Sequence, residues 1–176
     1  MSVVLGMTVL GLLSGCLSPF AEHIGEAEEP VLKPETFFAG RTRGEGTLTT
    51  LTGSRRSLRV EGHGYTEADG AFRLDQTVTF SDGETETRTW RLRQRDSKRY
   101  TATLSDAAGD VAAEATGNLF HLRYLLRRPA VYMEQRLYLH PDGRTVSNLA
   151  TVTVMGIPWA RLSEEIKKID NTSSRP

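Results

Sequence analysis

Few side chains in this sequence are candidates for chemistry, and Cys16 stands apart from the rest. It is the only cysteine and closes the run "VLGMTVLGLLSGC". With no internal disulfide partner, it calls for a chemical rather than a structural reason. The other candidates are Arg88, Trp90, Phe120, Tyr124, Gln135 and Asn148. One arginine, two amides and three aromatics suit the capture of an apolar molecule with a polar end, such as a fatty acid or phospholipid: apolar walls supply burial and a few polar groups fix orientation. Arg88 would hold a carboxylate, because guanidinium stays charged when buried, although an ion pair with Glu86 on the same strand face would use it equally well. No catalytic set emerges. There is no Gly-x-Ser-x-Gly elbow or phosphate loop, and Glu84 and Glu86 read as hairpin charges. His23, His63, His121 and His140 lack ligand spacing, so no metal, cofactor or enzymatic activity is expected. Gly44 and Gly46 in "RGEGT" read as a kink in a first strand.

The apolar run from Val3 to Leu13 matches the core of an export signal and is too short to cross a bilayer. Leu13-Ser14-Gly15-Cys16 then resembles the lipobox of bacterial lipoproteins. That resemblance implies cleavage of residues 1–15 as a signal peptide and a mature chain beginning at a diacylglycerol-modified Cys16, with the acyl chains as the membrane anchor. The pattern departs in having no Lys or Arg before the apolar run. Leu17 and Ser18 lack the aspartate associated with inner-membrane retention, so the expected address is the periplasmic face of the outer membrane. Residues 16–36 read as the lipidated cysteine and a flexible tether, because "FAEHIGEAEEPVLKPET" carries five glutamates, two prolines and no sustained period.

What must position the candidate site is the segment 37–170. Turn signals recur about every ten residues, among them "TEADGA", "SDGE", "RDSK" and "HPDGR". Between them the residues alternate. Phe72, Leu74, Val78 and Phe80 oppose Arg73, Asp75, Thr77 and Thr79; Phe120, Leu122, Tyr124 and Leu126 oppose His121 and Arg123. About eight to ten strands, each with one apolar face and short links, predict an all-β, antiparallel up-and-down barrel rather than a Greek-key sandwich. Inward faces would carry Leu74, Val78, Trp90, Leu92, Phe120, Leu122, Tyr124, Met133 and Leu137, with Gln76, Arg88, Gln135 and Asn148 among them. In "IPWARLSEEIKKID", Trp159, Leu162, Ile166 and Ile169 recur at helical intervals, which predicts a C-terminal helix over 158–169; a last strand is the alternative, since Leu162 and Ile166 also share a strand face. Residues 171–176 read as a frayed tail.

Twenty-two basic residues balance 22 acidic ones, so no global field draws nucleic acid, and a monomer is expected.

Several spaced motifs carry a family resemblance: "EEPVLKPETFFAG" at 28–40, "DGETETRTWRL" at 82–92, "YTATLSDAAGDVAAEATGN" at 100–118, "YLLRRP" at 124–129 and "HPDGRTVSN" at 140–148. Residues 28–170 resemble the domain of unknown function 3833 family of Gram-negative lipoproteins. The match departs at Val111-Ala112-Ala113-Glu114, where small polar steps with glycine are expected. The resemblance implies a lipidated envelope protein with a lipocalin-like (calycin-like) barrel, encoded near genes for fatty-acid and membrane modification; no activity is established for the family. Two readings follow. In one, the barrel takes an acyl chain or phospholipid during envelope lipid maintenance. In the other, a filled barrel docks an envelope partner through an outer face carrying Tyr132, Glu134, Arg136 and Tyr138.

Overall fold

The computed structural model describes residues 25–109 and 111–170. The segment read as an export signal, Cys16 and the segment read as a tail from 171 lie outside the described residues. A single helical turn, α1 (Pro34–Phe37), is followed by ten strands: β1 (Gly40–Thr50), β2 (Arg55–Thr66), β3 (Phe72–Phe80), β4 (Thr85–Gln94), β5 (Arg99–Leu104), β6 (Val111–Thr116), β7 (Leu119–Arg127), β8 (Val131–Leu139), β9 (Thr145–Val154) and β10 (Ile157–Ile169). Each strand pairs with its chain neighbours, and β10 pairs with β1 to close the barrel. The up-and-down order leaves no Greek-key crossing.

Local chemistry explains the meander. Asp69-Gly70, Asp82-Gly83 and Asp142-Gly143 place glycine in the left-handed region at the turns, and the Asp142 carboxylate accepts from the Arg144 and Thr145 amides at 2.8 and 2.9 Å. Alternation does the rest. Buried and exposed positions interleave along β2, β5 and β6, so each strand turns one face to the interior.

The segment read as a C-terminal helix is instead strand β10. Leu162 and Ile166 are four residues apart, a spacing that puts them on one side of either a helix or a strand. Pairing decides between the two. A helix here would leave β1 and β9 as open edges, whereas the strand gives both a ladder over most of its length. A register shift between Pro158 and Ala160 absorbs the proline and leaves Trp159 exposed.

The body also begins earlier than the sequence reading places it. Leu32 is fully buried, its amide donating to Gly117 O at 2.8 Å, and Phe37 and Phe38 meet edge to face across the end of the barrel that α1 closes. Asn118 clamps this strap: its Oδ1 accepts from Ala27 N at 2.8 Å and its Nδ2 donates to Gly25 O at 3.2 Å.

The interior divides in two. A large apolar cluster occupies the α1 end, and a smaller one, Leu58, Val60, Val78 and Phe80, lies against β2 and β3. Leu162 touches both, and the space they leave between them is a cavity.

Candidate functional site

The cavity measures about 260 Å³ and its wall is mainly apolar. Its wall residues near α1, including Pro34, Phe38, Leu92 and Phe120, are buried, whereas Leu48, Arg56, Glu86, Leu126 and Val152 toward the other end are half-buried. The mouth is therefore the end opposite α1. On the turns and strand ends there stand four exposed apolar side chains, Leu51, Met155, Ile157 and Trp159. Leu51 N donates to Trp159 O, and Met155 N to Ala130 O, so three neighbouring hairpins share this rim.

Of the residues singled out from sequence, Arg88, Trp90, Phe120, Gln135 and Asn148 line the cavity, and so does Gln76. Tyr124 lies just behind, buried edge to face against Trp90 with ring centroids 5.9 Å apart. A polar chain crosses four consecutive strands at one depth. Gln135 Nε2 (β8) donates to Tyr124 Oη (β7) at 3.0 Å, and Asn148 Nδ2 (β9) donates to Gln135 Oε1 at 3.3 Å and to Glu164 Oε2 (β10) at 2.9 Å. Trp90 Nε1 donates separately to Gln76 Oε1 at 2.8 Å.

Glu164 was not among the sequence candidates. Read as helix, it falls off the apolar stripe; as strand, it lies between Leu162 and Ile166 and points inward, 7% exposed. A further signal was present in β1. A Cβ at Gly44 would stand 2.0 Å from Glu164 Oε1, and one at Gly46 2.9 Å from Glu164 Cβ, so the two glycines make room for this side chain. Burial pushes its carboxyl above the ordinary range, with the Asn148 hydrogen bond and the more distant Arg88 charge pulling the other way. Burial likewise raises the Tyr124 phenol. Glu164 Oε1 and Asn148 Oδ1 are both buried without a partner.

The cations of the wall are already matched. Arg88 lies 3.0 Å from Glu86 and 3.2 Å from Asp106, and Arg56, stacked on Phe80, lies 2.7 Å from Asp82 and 2.6 Å from Glu84. On the outside, Arg91 and Arg93 pair with Asp69, and Glu134 accepts from His121 and Arg136 while Arg123 sits over Tyr132. The face considered for docking thus satisfies much of its own polarity. Among the described residues no group of three or more His, Cys, Asp or Glu could hold a metal ion.

The family described as "Protein of unknown function (DUF3833)" matches residues 10–168. The chain belongs to that family. An S-type phycobiliprotein lyase from Guillardia theta superposes with a TM-score of 0.60 at 8% identity, over 79% of this chain and 91% of that one. A protein of unknown function from the DUF3598 family of Nostoc punctiforme gives 0.60 at 14% identity, over 81% of this chain and 51% of that one. At these identities the likeness is one of fold: this family member is a lipocalin-like closed barrel, a form that can hold one small ligand. Among curated proteins none matches the chain.

Proposed function

We propose that this protein is a lipoprotein anchored through Cys16 to the periplasmic face of the outer membrane, and that its barrel binds one apolar molecule, an acyl chain or phospholipid, in envelope lipid maintenance. The observation that carries the ligand reading is the cavity itself: apolar walls with one band of convergent polar groups, in place of a filled core. A fold shared with a phycobiliprotein lyase is in keeping with this reading, because that protein's name also describes the handling of another molecule.

The mouth favours a membrane-derived ligand over a soluble one. Met155 sits at φ 50 beside Gly156 at φ 84, a turn position that usually takes Asn, so an exposed apolar side chain is kept where the backbone disfavours it. Around Leu51, Met155, Ile157 and Trp159 the arginines Arg55, Arg127, Arg128 and Arg161 are exposed, and none has a salt-bridge partner among the described residues. Apolar tips with surrounding cations suit a surface of acidic lipid.

Native mass spectrometry of the full chain recovered from a bacterial envelope tests the ligand reading. A co-purifying lipid at about one per chain supports it; a mass that stays apo after incubation with envelope lipids overturns it. Cys16→Ser tests the anchor, and is expected to move the protein out of the outer-membrane fraction.

A further inference from the structure

The apolar-ligand reading leaves the polar end of the occupant unspecified, and the wall narrows it. Each wall cation already faces two carboxylates, Arg56 with Asp82 and Glu84, Arg88 with Glu86 and Asp106. The Nε atoms of Arg56 and Arg88 lack aligned hydrogen-bond partners, but that of Arg88 lies only 3.2 Å from Asp106 Oδ2. Two cations against four carboxylates leave no uncompensated positive charge to receive an anion.

Deeper, the arrangement is different. Asn148 and Glu164 stand opposite each other in the β9–β10 register and share the 2.9 Å hydrogen bond from Asn148 Nδ2 to Glu164 Oε2. They are 4% and 7% exposed, and each keeps one oxygen without a partner, Asn148 Oδ1 and Glu164 Oε1. Asn148 Oδ1 can only accept a hydrogen bond. Burial disfavours the charged form of the Glu164 carboxyl, which can accept a hydrogen bond in either state and donate one when protonated. Orphaned buried polar atoms are costly, and this pair is kept by design of the neighbouring strand, where Gly44 and Gly46 stand in place of side chains that would displace Glu164.

We propose that the barrel selects a ligand whose polar end is uncharged and donates a hydrogen bond, a hydroxyl or an amide N–H, and that it disfavours the carboxylate of a free fatty acid. This rests on the cavity being a ligand site. A hydroxyl donates to Asn148 Oδ1 and accepts from the protonated Glu164 Oε1, which satisfies both orphaned atoms. A carboxylate brings only acceptors, leaves Asn148 Oδ1 unsatisfied and adds an anion to a wall already rich in them. An ammonium would donate, but it loses its hydration and requires Glu164 to ionise in apolar surroundings, two desolvation costs for one contact.

Calorimetric titration of the full chain at neutral pH with decanol, decanamide, decanoate and decylamine tests this, since the four share a tail and differ at the polar end. The alcohol and amide are expected to bind at least about tenfold tighter than decanoate. Glu164→Gln, which keeps a neutral donor and acceptor in place, should retain that preference; Asn148→Leu and Glu164→Ala, each checked for a native circular-dichroism spectrum, should reduce it to about twofold or less. Decanoate or decylamine binding as tightly as decanol would overturn the inference and leave the cavity reading standing. Failure of all four to bind would overturn the cavity reading and the inference with it.

Discussion

Replacing Gly44 by Ala sets a methyl carbon against one side chain in particular, and the consequence can be worked through. The new Cβ would lie 2.0 Å from Glu164 Oε1, 2.9 Å from its Cδ and 3.2 Å from its Cγ, so the carboxyl has to leave its place. Leaving breaks the Asn148–Glu164 hydrogen bond, a loss of about 1 kcal/mol, and overpacking a closed interior adds about 1–3 kcal/mol. Replacing a strand glycine by alanine returns roughly 0.5–1 kcal/mol of chain entropy. The net expectation is a destabilisation of about 2 kcal/mol. In a Glu164→Ala background all three contacted atoms are gone and only the entropic gain remains, so Gly44→Ala should be neutral or slightly stabilising. Urea unfolding of the four proteins in the cycle should give a coupling energy of about 2–3 kcal/mol. Gly46→Ala is the control: its Cβ would meet backbone atoms, Ser163 O at 2.8 Å and Glu164 Cα at 3.1 Å, which truncation of the side chain does not remove. It should be costly in both backgrounds. If Gly44→Ala and Glu164→Ala are additive to within about 0.5 kcal/mol, the glycine is not there for the carboxyl and the reasoning fails.

Two further outcomes follow from buried polar groups. The folded carboxyl of Glu164 titrates above its unfolded value, so the native state binds the extra proton between the two; its contribution to stability is full below about pH 4.5 and is lost as pH rises toward the folded value. Glu164→Gln should therefore gain on the parent with increasing pH, at up to about 1.4 kcal/mol per pH unit, and a stability difference that is flat or falls with pH in urea titrations would count against a buried carboxyl. Asn118→Leu strands Ala27 N, Gly25 O and Leu139 O together. It should cost about 2–3 kcal/mol and speed hydrogen exchange at Ala27 and Leu32 selectively; unchanged exchange at those two amides would mean the strap is held by other contacts.

The inward-facing candidates were legible for a plain reason. On a half-buried strand the side-chain period is two, so once Phe120 and Leu122 are assigned inward, Tyr124 follows, and the same step in the next two strands gives Gln135 and Asn148. What alternation does not provide is the partner of each group. Arg88 was open between a ligand carboxylate and an ion pair, and the structure pairs it with Glu86, its neighbour two residues away on the same face, and with Asp106 from the β5–β6 turn. Glu164 escaped because its segment satisfies two periods at once, and an acidic residue in a helical reading is assigned to solvent without further question.

By itself the sequence determined the all-β meander, the inward and outward faces of most strands and the family. These follow from turn chemistry and side-chain alternation, which are properties of neighbours along the chain. Only the tertiary structure decided that the last segment is a strand, that Glu164 is buried against two glycines from the far end of the sequence, and that the core stops short of filling the barrel. Closure is the reason: β10 meets β1 across more than a hundred residues, and neither the need to satisfy those two edges nor the space left inside is a property of any local stretch.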